Sequence, residues 1–78
     1  MESSFPNFPR IVVSQEICTG KPRIKGTRIP VSSVLAYLAG GMSVEDFILE
    51  FHGVKKEDVL QAIAFANDYI VPPEKVVV

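Results

Sequence analysis

The apolar residues of the chain follow helical spacing through its middle. Between 31 and 39 they recur every three or four residues, and Gly40 and Gly41 follow. This pattern predicts a first helix that ends where one glycine adopts a left-handed conformation. Ser43 has an acidic residue three positions later, which is typical of an N-cap and predicts a second, short helix that Gly53 ends. The apolar face of this second helix is formed by Phe47, Ile48 and Phe51.

A third helix is predicted from about Lys56 to Ile70, and Pro72 and Pro73 end it. Its apolar stripe contains Val59, Ala62, Ile63, Ala66, Tyr69 and Ile70, and Leu60 and Phe65 widen it. A stripe this wide has few partners within one small subunit, so this helix or the following tail is expected to join a homodimer interface. The apolar end Val76–Val78 is open to two interpretations, a strand added to a partner's sheet or a frayed terminus.

The first third of the chain predicts a small β element. The β-branched run Ile11–Val13 is a predicted strand, and Arg23–Ile24 can pair back on it to give a short hairpin. Residues 1–10 are expected to form an arm that is ordered only if its two phenylalanines dock. The length of 78 residues favours a single domain. We therefore predict one domain over residues 11–71, with residues 72–78 as a tail.

Composition narrows the classes of function. Hydrophobic residues make up 47% of the chain, which suffices for a core and argues against disorder. Cys18 and His52 are the only residues of their types, so neither an internal disulfide nor a Cys/His metal set is expected. There is no apolar run near the ~20 residues of a membrane span and no leader pattern at the N-terminus. The expectation is a cytoplasmic protein with no membrane segment, no cofactor and no catalytic set.

The net charge of -1 hides an uneven distribution. Residues 1–30 carry five basic and two acidic side chains, a balance of +3, whereas residues 31–78 carry three basic and seven acidic ones, a balance of -4. A sequence pI near 5.7 is not typical of a non-specific DNA-binding protein. The basic first third is still compatible with contact to phosphate or to an acidic partner.

Four short motifs resemble one known family. Residues 17–22 read ICTGKP, residues 24–31 read IKGTRIPV, residues 41–43 read GMS and residues 57–59 read EDV. This order is similar to that of the domain of unknown function 433 family, and the resemblance extends over about residues 11–68. The GTRIPV block is the most specific part of it.

The resemblance implies a mainly α protein with a trihelical, winged-helix or homeodomain-like core and a short N-terminal β-hairpin. It also implies an antitoxin-like role, because members can be encoded beside a PIN-like ribonuclease toxin. Two residues depart from the family pattern: His52 replaces a usual proline, and Lys55 replaces a common capping threonine. The loss of that cap predicts fraying at the start of the third helix, at a cost of about 1 kcal/mol.

The basic segment between residues 20 and 31 has more than one interpretation. Lys21, Arg23 and Lys25 are candidates to neutralise phosphates, or to hold the carboxylates of a PIN-like active site. The alternative is a structural role in which the charges stay in water, and we favour that for Thr27 and Arg28. A nucleotide phosphate loop is excluded, because the order is Lys-Gly-Thr and not Gly-Lys-Ser/Thr.

The second and third helices have the order and lengths of a helix-turn-helix unit. In such a unit Lys55 and Lys56 would contact phosphates and Gln61 would pair with an adenine edge. Glu57 and Asp58 would repel the DNA backbone, although acids also suit the first turn of a helix. The alternative is an ordinary packing unit with a solvated edge.

Together these patterns predict a non-enzymatic, cytoplasmic, antitoxin-like protein. Its partners would be a PIN-like toxin and, as a homodimer, double-stranded operator DNA. The alternative is a protein-interaction module that does not bind DNA. The candidate binding residues are Lys21, Arg23, Lys25, Arg28, Lys55, Lys56 and Gln61.

Overall fold

The N-terminal part of the molecule is a three-stranded antiparallel sheet; the computed structural model describes residues 1–70. Its strands are β1 (Ser3–Phe5), β2 (Phe8–Val13) and β3 (Arg23–Ile24), in the spatial order β1-β2-β3. The predicted pairing of β3 on β2 is confirmed. The sheet is larger than the predicted hairpin because β1 pairs along the other edge of β2.

Most of the first ten residues form strands of this sheet, and their two phenylalanines dock on α3. The rings of Phe5 and Phe8 pack edge-on against Phe65, with centroid separations of 4.6 Å and 5.4 Å. The condition placed on the predicted arm is therefore met, and residues 1–10 share the core of the residues that follow. The predicted tail over residues 72–78 lies outside the described residues.

Three helices follow the sheet: α1 (Val31–Ala39), α2 (Val44–Glu50) and α3 (Lys56–Ile70). The predicted bounds of α1 and α3 are confirmed. The predicted left-handed glycine after α1 is Gly41, whose φ is +107°. A residue with a Cβ would be strained in this conformation, which explains why a glycine ends this helix.

The core lies between α3, α1 and the sheet. Its buried apolar members are Ile11, Ile24, Val31, Val34, Phe47, Val54, Val59, Ala62 and Phe65. As the width of the predicted stripe indicated, part of it has no cover within the described residues: Leu60, Ile63 and Tyr69 are 50%, 37% and 66% exposed. The buried side of α3 is narrower because α1 and the sheet cover only one side of it. These exposed apolar side chains are compatible with the predicted homodimer, which stays a prediction.

The architecture is three helices on a three-stranded antiparallel sheet, with roughly half of the described chain helical. This is less helical than the mainly α protein that the resemblance implies. The helix-turn-helix assignment stays a prediction. None of the helices within residues 1–70 is long and apolar enough to cross a membrane.

The start of α2 provides a test of local stability. The Ser43 side-chain oxygen accepts a hydrogen bond from the backbone N–H of Asp46 at 3.0 Å, which confirms the predicted N-cap. Ser43→Ala should lower the free energy of unfolding by about 1 kcal/mol, because one N–H at the helix start loses its partner. Urea unfolding measures this change. Ser32→Ala, at an exposed position inside α1, is the matched control and should not destabilise the protein. Equal effects of the two substitutions would contradict the capping account.

Candidate functional site

A buried carboxylate fixes the start of α3 to the sheet. Asp58 is completely buried. Its Oδ1 accepts a hydrogen bond from Nε of Arg10 at 2.7 Å, and its Oδ2 accepts one from the backbone N–H of Lys55 at 3.0 Å. Asp58 is the third residue of the helix and bonds back to the residue before it, as the acid of a capping box does. Asp58 therefore caps the start of α3, where the lysine at position 55 led us to expect no side-chain cap.

Arg10, on β2, is the centre of this arrangement. Its side chain is 37% exposed, and Nη2 also donates to the carbonyl oxygen of Lys25 at 3.4 Å. The backbone N–H of Lys25 in turn donates to the carbonyl oxygen of Arg10 at 2.8 Å. The pKa of Arg10 is raised, mainly by its hydrogen bond to Asp58 and less by the negative charge of Asp58. The guanidinium is therefore charged at neutral pH.

These contacts bring cations from two distant parts of the sequence to one surface. We call Arg10, Lys25, Lys55 and Lys56 the basic cluster. The three lysines are exposed. With Glu57 and Asp58 included, the formal balance is four positive and two negative charges, or +2. Because Asp58 is buried and already paired with Arg10, the exposed part of the surface is dominated by the lysines.

The structure disperses the predicted basic segment. Lys25 joins the basic cluster, while exposed Lys21 borders an apolar groove between α1 and α3. Arg28 is exposed and borders a separate cavity, which Glu2 and Arg23 also line. Thr27 has the structural role favoured for it, since its hydroxyl donates to the carbonyl oxygen of Ile24 at 2.8 Å and accepts from an amide N–H at 3.1 Å. The segment does not form one continuous basic loop.

Gln61 and Arg23 are placed differently from their predicted roles. Gln61 is half-buried, and its Oε1 accepts a hydrogen bond from the backbone N–H of Arg10 at 3.0 Å. Strand β2 therefore covers the face of α3 that was predicted to read an adenine edge. Arg23 is only 2% exposed although β3 is an edge strand, because its backbone lies between Val12 and Pro30, and its Nη2 donates to Glu2 at 2.8 Å. In this arrangement the Gln61 oxygen is already bonded to the sheet, and Arg23 is bonded to Glu2 where a phosphate was predicted.

The N-terminal residues are held at two points. Besides the contact of Glu2 with Arg23, the N-terminal ammonium donates to Oε1 of Glu16 at 3.1 Å. This hydrogen bond lowers the pKa of Glu16. The carboxylate of Glu2 therefore connects the start of the chain to β3, and that of Glu16 connects it to the loop after β2.

The two residues with possible reactive side chains do not meet. Cys18, predicted to be a buried hydrophobe, is half-buried, and its thiol donates to the carbonyl oxygen of Arg28 at 3.3 Å. His52 is exposed in the turn before Gly53, as predicted. Within residues 1–70 there is no group of His, Cys, Asp and Glu side chains that could hold a metal ion.

Arg10 is the residue that sequence reasoning missed. The charge count over residues 1–30 included it, but its distance in sequence from the glycine-rich segment kept it out of the candidate set. Its role depends on β2 lying beside α3, which places Arg10 next to Asp58 across 48 positions of sequence. Only the tertiary arrangement supplies that information.

Comparison with known proteins agrees with this fold. A family model described as "Protein of unknown function (DUF433)" matches residues 11–66. A crystal structure of a DUF433 member from Anabaena variabilis is similar with a TM-score of 0.73 and 29% sequence identity. The similarity covers 83% of this chain and 61% of that one, so the present chain spans about three fifths of that structure. No curated protein matches.

Proposed function

We propose that this chain, which belongs to the DUF433 family of proteins of unknown function, is an antitoxin-like binding protein that uses the basic cluster to hold an acidic partner protein. The observation that carries the proposal is the network around Asp58. It fixes the backbones of Lys25 and Lys55 to one another through Arg10. Lys25 and Lys55, which are both exposed and 30 positions apart in the sequence, are thereby held next to the same ion pair.

The chemistry of the cluster suits a carboxylate-rich partner. The active site of a PIN-like ribonuclease is a group of carboxylates, which is the partner type that the family resemblance implies. Lysine ammonium groups attract such a surface at long range and mainly accelerate association. Because the lysines are exposed, their charges are not neutralised by burial against the chain's own acids.

Apolar side chains beside the cluster support the homodimer that we include in this proposal. Leu60 and Ile63, one turn apart on α3, and Leu49 on α2 are exposed by 50%, 37% and 77%. Exposed leucine and isoleucine side chains favour protein contact over solvation where they form a continuous patch. A dimer formed there would present two basic clusters to its partner.

The experiment is co-expression with a PIN-like ribonuclease encoded in the adjacent reading frame. We expect the two proteins to purify together and the ribonuclease activity to fall as the chain is added. A clean pull-down without binding, and unchanged ribonuclease activity, would contradict the antitoxin-like role.

Operator DNA is a second candidate partner, because Lys55 and Lys56 lie exposed at the start of a helix of suitable length. Since Gln61 is bonded to the sheet, we expect phosphate contact with little base readout. The alternative, a protein-interaction module that does not bind DNA, predicts no binding to DNA at any salt concentration.

Fluorescence anisotropy with the DNA upstream of the gene separates these two cases. If DNA binds, Lys55→Ala with Lys56→Ala should reduce the slope of log affinity against log salt by about 2, since each lysine releases about one counterion. Lys21→Ala is the control, because it also removes a lysine charge but at the apolar groove. This substitution should leave the slope unchanged. Binding whose slope responds to Lys21 but not to the pair would contradict the assignment of the surface.

A further inference from the structure

We propose that the cavity beside Arg23 is a carboxylate-binding site that Glu2 occupies in the free chain. The ligand class is a small carboxylate, either free or on the side chain of an acidic peptide. This site is separate from the basic cluster, because none of the cavity residues belongs to that cluster. The inference therefore does not depend on the proposed function.

The cavity has a volume of about 340 Å³ and is open to solvent. It is lined by Glu2, Ile17, Arg23, Gly26, Thr27 and Arg28. Two arginines and a single acidic residue thus line it, and Arg23 is the arginine that contacts Glu2. The local charge balance is positive, which favours a further or a replacing anion.

Arg23 is the group that requires an anion. Its side chain is 2% exposed, and an isolated buried cation is costly because it loses its hydration. The structure offers it Glu2, whose Oε1 lies 2.8 Å from Nη2. Within residues 1–70, the buried Nε of Arg23 has no hydrogen-bond partner. Glu2 therefore satisfies only part of the guanidinium.

A carboxylate can bond a guanidinium through two parallel N–H···O contacts. In Arg23 the edge formed by Nε and Nη2 is suited to this mode, but Glu2 engages it through Nη2 alone. A ligand carboxylate in the same position could accept from both nitrogens. It would then satisfy the buried Nε of Arg23, which has no partner among residues 1–70.

Glu2 is also the residue that can be displaced most easily. It precedes β1, so its departure breaks no ladder hydrogen bond, and its side chain is 43% exposed. Exchange of one carboxylate for another leaves the charge beside Arg23 unchanged, so the burial cost of the cation is not incurred. Arg28, exposed at the cavity wall, adds attraction for the entering ligand.

The test uses the full chain with Glu2→Gln, which removes the internal carboxylate. Sodium acetate, an acetylated and amidated Gly-Glu-Gly peptide, and sodium phosphate are added separately at constant ionic strength and pH 7. The NMR signals of the Arg23 Nε–H and of the backbone amides of Gly26 and Thr27 report binding. We expect saturable shifts with acetate and the peptide, with an apparent affinity about tenfold higher than in the unchanged protein.

Glu16→Gln is the matched control, because it removes an N-terminal contact that lies outside the cavity. It should behave as the unchanged protein does. No saturation of the Glu2→Gln signals up to about 100 mM acetate or peptide would overturn the proposal. Phosphate binding as tight as acetate binding would overturn the carboxylate assignment. A response to the peptide without one to acetate would show that the site accepts only chain-linked carboxylates.

Folding provides a second readout if Glu2→Gln is unstable. Recovery of folded protein in acetate, but not in chloride of the same ionic strength, would support the site, since the ligand would replace the missing anion. A variant that stays unfolded in both salts would contradict it.

Discussion

Asp58→Ala should lower the free energy of unfolding by about 3 kcal/mol, the largest effect expected for a single polar side chain in this protein. The carboxylate is completely buried and accepts hydrogen bonds from Arg10 and from the backbone of Lys55. Its removal leaves a guanidinium and an N–H without their acceptors. The cost is below that of a fully buried ion pair because Arg10 is 37% exposed and water can partly solvate it.

Thermal unfolding followed by circular dichroism measures this effect. In a domain of this size, about 3 kcal/mol corresponds to a fall in melting temperature of about 15 °C. The melting temperature of Asp58→Asn should lie between those of the unchanged protein and of Asp58→Ala, because asparagine keeps an acceptor for the helix start but loses the charge. Asp68→Ala, an exposed acid on the same helix, is the control and should change little. A melting temperature for Asp58→Ala within the range of the Asp68 variant would contradict the network.

Reversing two charges of the basic cluster should weaken the complex with an acidic PIN-like partner by about 100-fold. The change is Lys25→Glu with Lys55→Glu, which replaces attraction by repulsion at the two ends of the Arg10–Asp58 network. Both side chains are exposed, so the fold should be preserved. Stopped-flow measurements should assign most of the loss to slower association, and added salt should reduce the difference between the proteins.

Lys21→Glu is the control for net charge. It makes a charge change of the same kind on an exposed lysine that borders the groove between α1 and α3. Its effect should be less than about tenfold, because only long-range attraction changes. If one reversal at Lys21 weakens binding as much as the double variant does, the partner binds elsewhere.

Local signals in the sequence predicted the local structure. The spacing of Val31, Val34 and Leu38 and the two following glycines gave the bounds of α1 because both signals act within a few residues. Ser43 was identified as an N-cap for the same reason. Strand β1 was missed because Ser3–Phe5 has no alternating pattern, and its place depends on aromatic contacts with α3.

The candidate site was predicted only in part, because charge alone does not reveal burial. Arg23 and Lys25 are separated by one residue, yet one lies inside the protein and the other at its surface. Strand β3 ends at Ile24, so Arg23 belongs to the sheet whereas Lys25 lies in the turn that follows it. Asp58 was predicted to repel DNA, whereas its position beside Arg10 makes it the residue that organises the basic cluster.

NMR mapping of the labelled chain with the PIN-like partner tests most directly whether the partner binds at the basic cluster. We expect the amide signals of Lys25, Lys55 and Lys56 to shift or broaden first and most strongly when the partner is added. Shifts confined to the groove between α1 and α3, around Leu35 and Tyr69, with the cluster unchanged, would contradict it.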